Sequence, residues 1–360
     1  MDGWPDRRIL DLFGIDIPIL QAPMAGASTP EMAIAVSEAG GLGSLPCAQY
    51  DLAGARAALA QVRAATKRPI NVNFFCHTMP KLDAEEDKRW RARLTDYYRE
   101  MGLDPEMPSP PGGRTPFDAA FCAWIEEGRP EVTSFHFGLP EPALLNRVKA
   151  SGAKVIGSAT TVREAKWLEE HGCDAVIAMG YEAGGHRGIF LSDHPAHEMA
   201  RQVGTFALVP QVADAVKVPV IAAGGIADAR GIVAAFALGA SAVQLGTAYL
   251  FTTEAKIPAY HRAALRRAAD DETMVTNLFT GRPARGIANR LMREVGPLSS
   301  EVPRFPLAGG ALTPLRKVAE AAGSGDFSNM WAGQAAPLGR EMPAGELTQK
   351  LASEALARLL

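Results

Sequence analysis

A (β/α)8 TIM barrel with an additional helical region on its substrate side is the fold class this sequence predicts, and two observations carry it. The first is a series of short apolar runs at 17–24, 41–46, 69–75, 132–138, 153–160, 174–180, 218–225 and 241–247. Their apolar residues fall on consecutive positions, as in parallel strands covered on both faces. The second is that helix-like segments with recognisable ends separate most of these runs, and repeated strand–helix units build a parallel sheet that can close on itself. An open, doubly wound sheet shares this local pattern and stands as the alternative.

The helices declare their termini. Thr29 precedes Pro30 in TPEMAIAVSEAGG, Thr160 or Thr161 opens TVREAKWLEEHG ahead of Gly172, and Asp228 opens DARGIVAAFALGA, closed by Gly239. A short side-chain oxygen before the first turn and a glycine after the last are what a helix needs there. Two stretches break the rhythm. Residues 76–118 are charged and then rich in proline and glycine. They follow the third strand, and form either a lid or entrance wall over the strand ends or a solvated excursion. After the eighth strand come PAYHRAALRRAADD, NLFTGRPARGIANRLMREV and, at the end, LTQKLASEALARLL. The expected organisation is a barrel over 1–253 with an insertion at 76–118, a helical cap over 254–315, and a segment 316–360 returning to the barrel wall.

Composition excludes several function classes. With 360 residues, 47% of them hydrophobic, the chain can bury a large core, and a net charge of −3 argues against nucleic acid as a partner. The cysteines, Cys47, Cys76, Cys122 and Cys173, show no metal spacing and read as buried reduced thiols, although Cys47 and Cys76 follow strands two and three. His194 and His197 in HPAH lack a third ligand, so no metal is expected. MDGWPDRRIL lacks the apolar stretch of a signal peptide and no run reaches membrane length, so a soluble cytoplasmic protein is expected.

In such a barrel, chemistry sits on the loops after the strands. Gly224-Gly225 and Gly246-Thr247 follow strands seven and eight, the loops that commonly form a phosphate site. Glycine lets backbone amides approach an anion, and the helix opening near Asp228 adds its dipole. QAPM after strand one, with Met24, Asn73 on strand three and Gln244 on strand eight add a flat surface with amide partners. That suits flavin mononucleotide better than a sugar phosphate. GYEAGGHRG follows strand six. Gly184 and Gly185 there allow close backbone approach to a flat cofactor, and His186 can project over it as a base or as an anion partner. A plain loop histidine bonded to a carbonyl is the competing reading. His136, between two phenylalanines at the end of strand four, is a second pocket candidate. Arg187 pairs with Glu182 or fixes the loop, or else it meets an anionic substrate.

Taken in order, QAPMAG, INVNFF, GYEAGGHRG, AAGGIAD, QLGT and SNMWAGQ make the chain resemble the nitronate monooxygenase family from about residue 9 to 345. The resemblance implies an FMN-containing barrel that oxidises alkyl nitronates, or nitroalkanes, with O2 to carbonyl compounds and nitrite. It sets the flavin against Ala22, Pro23, Met24, Asn73, Gly184, Gly225, Gln244, Gly246 and Thr247, with Gly185, Gly224 and Leu245 beside them, and makes His186 catalytic. Where the family usually has glutamine, this chain has Met179 beside the ring. A homodimer is left open. Quinone or enoyl-thioester reductases fed by NAD(P)H resemble the chain at the same glycine–histidine loop, and a non-catalytic FMN-binding barrel is the third reading.

Overall fold

The computed structural model describes residues 3–81, 83–108 and 113–359. Residue 82 and residues 109–112 of the expected insertion lie outside the described residues, as do 1, 2 and 360 of the expected barrel and C-terminal segment.

Each apolar run yields a strand. In chain order the strands are β1 (Ile19–Gln21), β2 (Gly43–Leu45), β3 (Ile70–Phe75), β4 (Val132–His136), β5 (Lys154–Ala159), β6 (Ala175–Met179), β7 (Gly185–His186), β8 (Val220–Ala223), β9 (Ala242–Leu245), β10 (Thr273–Thr276) and β11 (Ala284–Ile287). Eight of them pair in parallel in the order β1-β9-β8-β6-β5-β4-β3-β2. The ring closes through a bridge between Leu20 and Leu42, where Gln21 N–H donates to Leu42 O at 2.9 Å and Leu42 N–H to Ile19 O at 3.0 Å. The sheet is therefore a (β/α)8 barrel and not an open one.

The local signals act as expected. Thr29 accepts from Met32 N–H, Thr161 from Glu164 N–H, and Asp228 from the amides of Arg230 and Gly231, each opening the helix that follows. The helix Ala344–Leu359 packs on the helices Pro30–Glu38 and Ala229–Ala237. No helix among the described residues is long and apolar enough to cross a membrane.

Above the strand ends stands a second body with its own core. The helix Ala84–Glu100, inside the insertion, buries Trp90, Leu94 and Tyr98 against Leu312 and Leu315 of the helix Gly309–Ala321 and against Leu278, Phe279 and Leu291. The insertion thus joins the cap, and the reading as a solvated excursion does not hold for this helix. The cap also departs from the all-helical expectation. It contains an antiparallel sheet in the order β10-β11-β7. Sequence reading missed it because β7 is two residues long and no periodicity can show in so short a strand. The expected boundary at 315 falls inside the helix Gly309–Ala321, whose amphipathic face continues across it.

Candidate functional site

The carboxyl ends of the barrel strands and the underside of the cap enclose a cavity of about 360 Å³, within the usual size range of small-molecule sites. Its barrel side is formed by Ala22, Pro23 and Met24 after β1, Asn73 and Phe75 of β3, Ser134 and His136 of β4, Met179 at the end of β6, Gly224 and Gly225 after β8, and Gln244, Gly246 and Thr247 around β9. The cap side brings His186, Arg114, Tyr260, His261 and Trp331.

His186 stands where the two bodies meet. As the second residue of β7 it pairs with Ala284 of β11, so the loop leaving barrel strand β6 becomes an edge of the cap sheet. Its Nε2 lies 2.9 Å from Thr280 Oγ1. Its carbonyl accepts from His136 Nε2 at 3.2 Å, and His136 Nδ1 lies 3.1 Å from Ser158 Oγ. Since a carbonyl only accepts, His136 carries its proton on Nε2 and Ser158 donates to Nδ1. Burial, then the neighbouring guanidinium of Arg114, holds the pKa of His186 well below 6.5. Burial likewise lowers His136 and His77 to about 4. All three imidazoles are neutral near pH 7, and a neutral imidazole can accept a proton. Phe75, Phe137, Phe305 and Trp331 surround His186 at ring separations of 6.0, 5.8, 5.4 and 5.5 Å.

Two features point to a missing polar occupant. Gln244 Oε1 is buried with no hydrogen-bond partner among the described residues. The amides of Gly224, Gly225 and Gly246 donate to no protein acceptor among those residues either. Buried polar groups are ordinarily satisfied, so the bare Gln244 Oε1 marks where a ligand's donor belongs, and the free loop amides beside the same cavity are open to an acceptor.

The family model described as nitronate monooxygenase matches residues 6–354. The chain belongs to the nitronate monooxygenase family. It is 43% identical to the nitronate monooxygenase of Paraburkholderia phytofirmans over 97% of this chain and 94% of that one. The corresponding figure for the Pseudomonas aeruginosa nitronate monooxygenase is 41%, over 96% and 98%. Among solved structures, nitroalkane oxidase from Streptomyces ansochromogenes superposes with a TM-score of 0.88 at 39% identity, covering 98% of both chains. The protein is accordingly an oxidoreductase of a flavin-dependent family that oxidises nitronates and nitroalkanes.

Within this family member most of the residues singled out from sequence gather around the one cavity, and two do not. Arg187 is 1% exposed and turned into the protein, where it donates to Gly180 O at 2.6 Å, Met179 O at 2.9 Å and Gln202 Oε1. It fixes the loop and does not line the pocket. Nor does Glu182 serve it as a hydrogen-bonded partner, because that carboxylate receives the amide and hydroxyl of Thr205. The Leu245 side chain is fully buried in the barrel core, and its carbonyl accepts from Ala22 N–H at 2.8 Å.

The glycines need separate accounts. A Cβ on Gly184 would stand 2.5 Å from Gly333 N, so the backbone of the SNMWAGQ stretch by itself already demands a glycine there, at a position that lines the cavity. Gly185 has φ +71 and open space where a Cβ would be, which leaves the left-handed backbone as its requirement. The helix after Asp228 already has its first amides capped by that residue, so any anion there meets the loop amides instead. Cys47 and Cys76 are shielded, and burial pushes both thiols up, away from reactivity.

Arg114, Thr280 and Trp331 were missed. Trp331 had a visible signal, since SNMWAGQ is tied to both barrel loops: Gly333 N–H donates to Thr247 Oγ1 at 2.8 Å and Gln334 N–H to Glu182 O at 3.0 Å. Arg114 and Thr280 sit in Pro/Gly-rich stretches with no such mark.

Proposed function

We propose that the protein uses FMN to oxidise alkyl nitronates with O2, giving carbonyl compounds and nitrite. The observation that carries this reading is the pairing of a neutral His186 on one side of the cavity with partnerless amides and Gln244 Oε1 on the other. The donor set fits the cofactor. Amides of Gly224, Gly225 and Gly246 would hold its phosphate without a lysine, as backbone amides do at barrel phosphate sites. Gln244 would meet a ring heteroatom, while Met24 and Met179 supply apolar contact from the cavity wall. FMN, when bound, supplies the electron-accepting ring that no side chain of the protein offers.

The chain's own groups do the rest. His186 takes the α-proton of a neutral nitroalkane, or hydrogen-bonds an oxygen of a nitronate that arrives already ionised. Thr280 and His136 hold its ring and its backbone in place. The aromatic shell keeps water from the reacting carbon and strengthens every charge interaction inside. Mixing the purified holoprotein with an alkyl nitronate under argon is expected to bleach the flavin, and admitting O2 to restore the colour with release of nitrite. Bleaching by NADH and not by nitronate would overturn the reading in favour of a reductase, and bleaching by neither would leave a binding protein.

A further inference from the structure

We propose that Arg114, brought to the pocket by the segment between β3 and β4, is the anion anchor that makes the protein prefer ionised nitronates to their neutral nitroalkane acids. The inference rests on the substrate class just proposed and names the residue that selects within it.

Several guanidinium groups are buried near His186, and their surroundings differ. Arg187 spends its donors on Gly180 O, Met179 O and Gln202. Arg285 is bonded to Tyr181 O and Thr273. Arg282 donates to Ile189 O and lies over the Phe137 ring at 4.1 Å. Arg187 and Arg285 are structural cations held by several oxygens of the protein, while Arg282 is held by one carbonyl and by the Phe137 ring. Arg114 lines the cavity itself, and its Nη1 is buried with no partner among the described residues. No carboxylate among those residues lies within ion-pair reach of it. Its guanidinium stands 5.7 Å from the centre of the Phe75 ring, which in turn is 6.0 Å from the His186 ring. Of the charged groups around His186, Arg114 depresses its protonation most.

The placement is held from behind. Arg114 O lies 2.9 Å from His77 Nε2, and Phe117 N–H donates to Phe75 O at 2.8 Å, which ties this segment to the end of β3. The acidic side chain lining the same cavity among the described residues, Glu320, is engaged by Tyr260 Oη and Ser328 Oγ. His77, His136 and His186 are neutral and cannot balance an anion. The positive potential beside His186 therefore comes from Arg114, with Arg282 behind it.

A desolvated cation without a counter-ion is costly, and the arrival of an anion relieves that cost. The flat fork of N–H donors on a guanidinium matches the flat O–N–O of a nitronate. A neutral nitroalkane presents the same shape without the charge, so the same contact is weaker. Arg114 thereby discriminates the two forms of one carbon skeleton.

The test uses the holoprotein, R114Q and R114K. Nitrate, a planar inert anion, is titrated calorimetrically, and steady-state rates are taken with ethyl nitronate and with nitroethane at one pH. Wild type is expected to bind nitrate and R114Q not to. For R114Q, kcat/KM with ethyl nitronate is expected to fall about 100-fold, chiefly through KM, and with nitroethane less than about tenfold. R114K, which keeps the charge without the fork, recovers part of the loss. Unchanged flavin content and melting temperature show that R114Q is folded; if it is not, R114K must still show the reduced nitronate preference. Equal nitrate affinity in wild type and R114Q, or an unchanged nitronate-to-nitroethane ratio, overturns the assignment. A wild type that ignores nitronates yet binds nitrate through Arg114 sinks the proposed reaction and leaves the anchor standing.

Discussion

The barrel and the cap meet at one cavity but supply it with different things. From the barrel come backbone groups and small or neutral side chains: Gly224, Gly225, Gly246, Gln244 and Asn73. From outside the barrel strands come the groups that carry charge or handle protons: His186 on β7, its ring held by Thr280 ahead of β11, and Arg114 from the insertion. Backbone amides at strand ends are fixed by the barrel hydrogen bonds and suit a constant ligand. Side chains on the cap and on the inserted segment can change without unmaking that grip. The contrast teaches that holding a cofactor and choosing a substrate are separable here, and mutations should separate them.

The largest separation is expected at the seam. His186→Asn should retain its flavin, read by absorbance, while turnover of nitroalkanes falls by about 10²–10⁴-fold; a variant that loses both together would join what this account divides. Next comes the cap core. Trp90 is fully buried and donates to Ala308 O, so Trp90→Ala should cost about 3–5 kcal/mol in the cap. Thermal scans should then show activity lost at a lower temperature than flavin is released, whereas simultaneous loss would mean one cooperative unit.

A barrel-side change should do the reverse. Gly224 has φ +111, and a Cβ there would stand 3.0 Å from Ala183 N and Thr205 Oγ1. Gly224→Ala should cost about 1–3 kcal/mol in strain and weaken FMN affinity, measured on the reconstituted apoprotein, with kcat of the remaining holoprotein little changed. Smaller still, Thr280→Val removes one hydrogen bond to His186 and should lower kcat about fivefold at unchanged flavin content. Finally, a lowered pKa keeps His186 in its base form above that pKa, so the acid limb of kcat/KM for nitroethane should lie below pH 6.5 and not above it.

How far the sequence disclosed all this also divides along the same line. Barrel strands are buried on both faces, so consecutive apolar residues such as those of Val220–Ala223 are a direct imprint of their position. Helix starts at Thr29, Thr161 and Asp228 are local chemistry and were equally legible. Glycine pairs marked the loops after β6 and β8, and Gly184 also packs its backbone against Gly333, a contact no local pattern announces. The cap was poorly legible. Its sheet joins β7 to strands some hundred residues later, and its core joins Trp90 to Leu312, pairings that no short window of sequence contains. Arg114 follows a Pro/Gly-rich run without periodicity, and Arg187, the arginine beside the histidine in sequence, points away from the pocket it adjoins.

The division of labour rests on a phosphorylated flavin being gripped by the barrel loops, and one measurement reaches that directly. The protein as purified is examined by visible absorption, denatured, and its released chromophore weighed by mass spectrometry. The account predicts a yellow protein that yields one FMN per chain. A colourless protein that takes up no FMN on reconstitution, or one that releases a different chromophore, would contradict it.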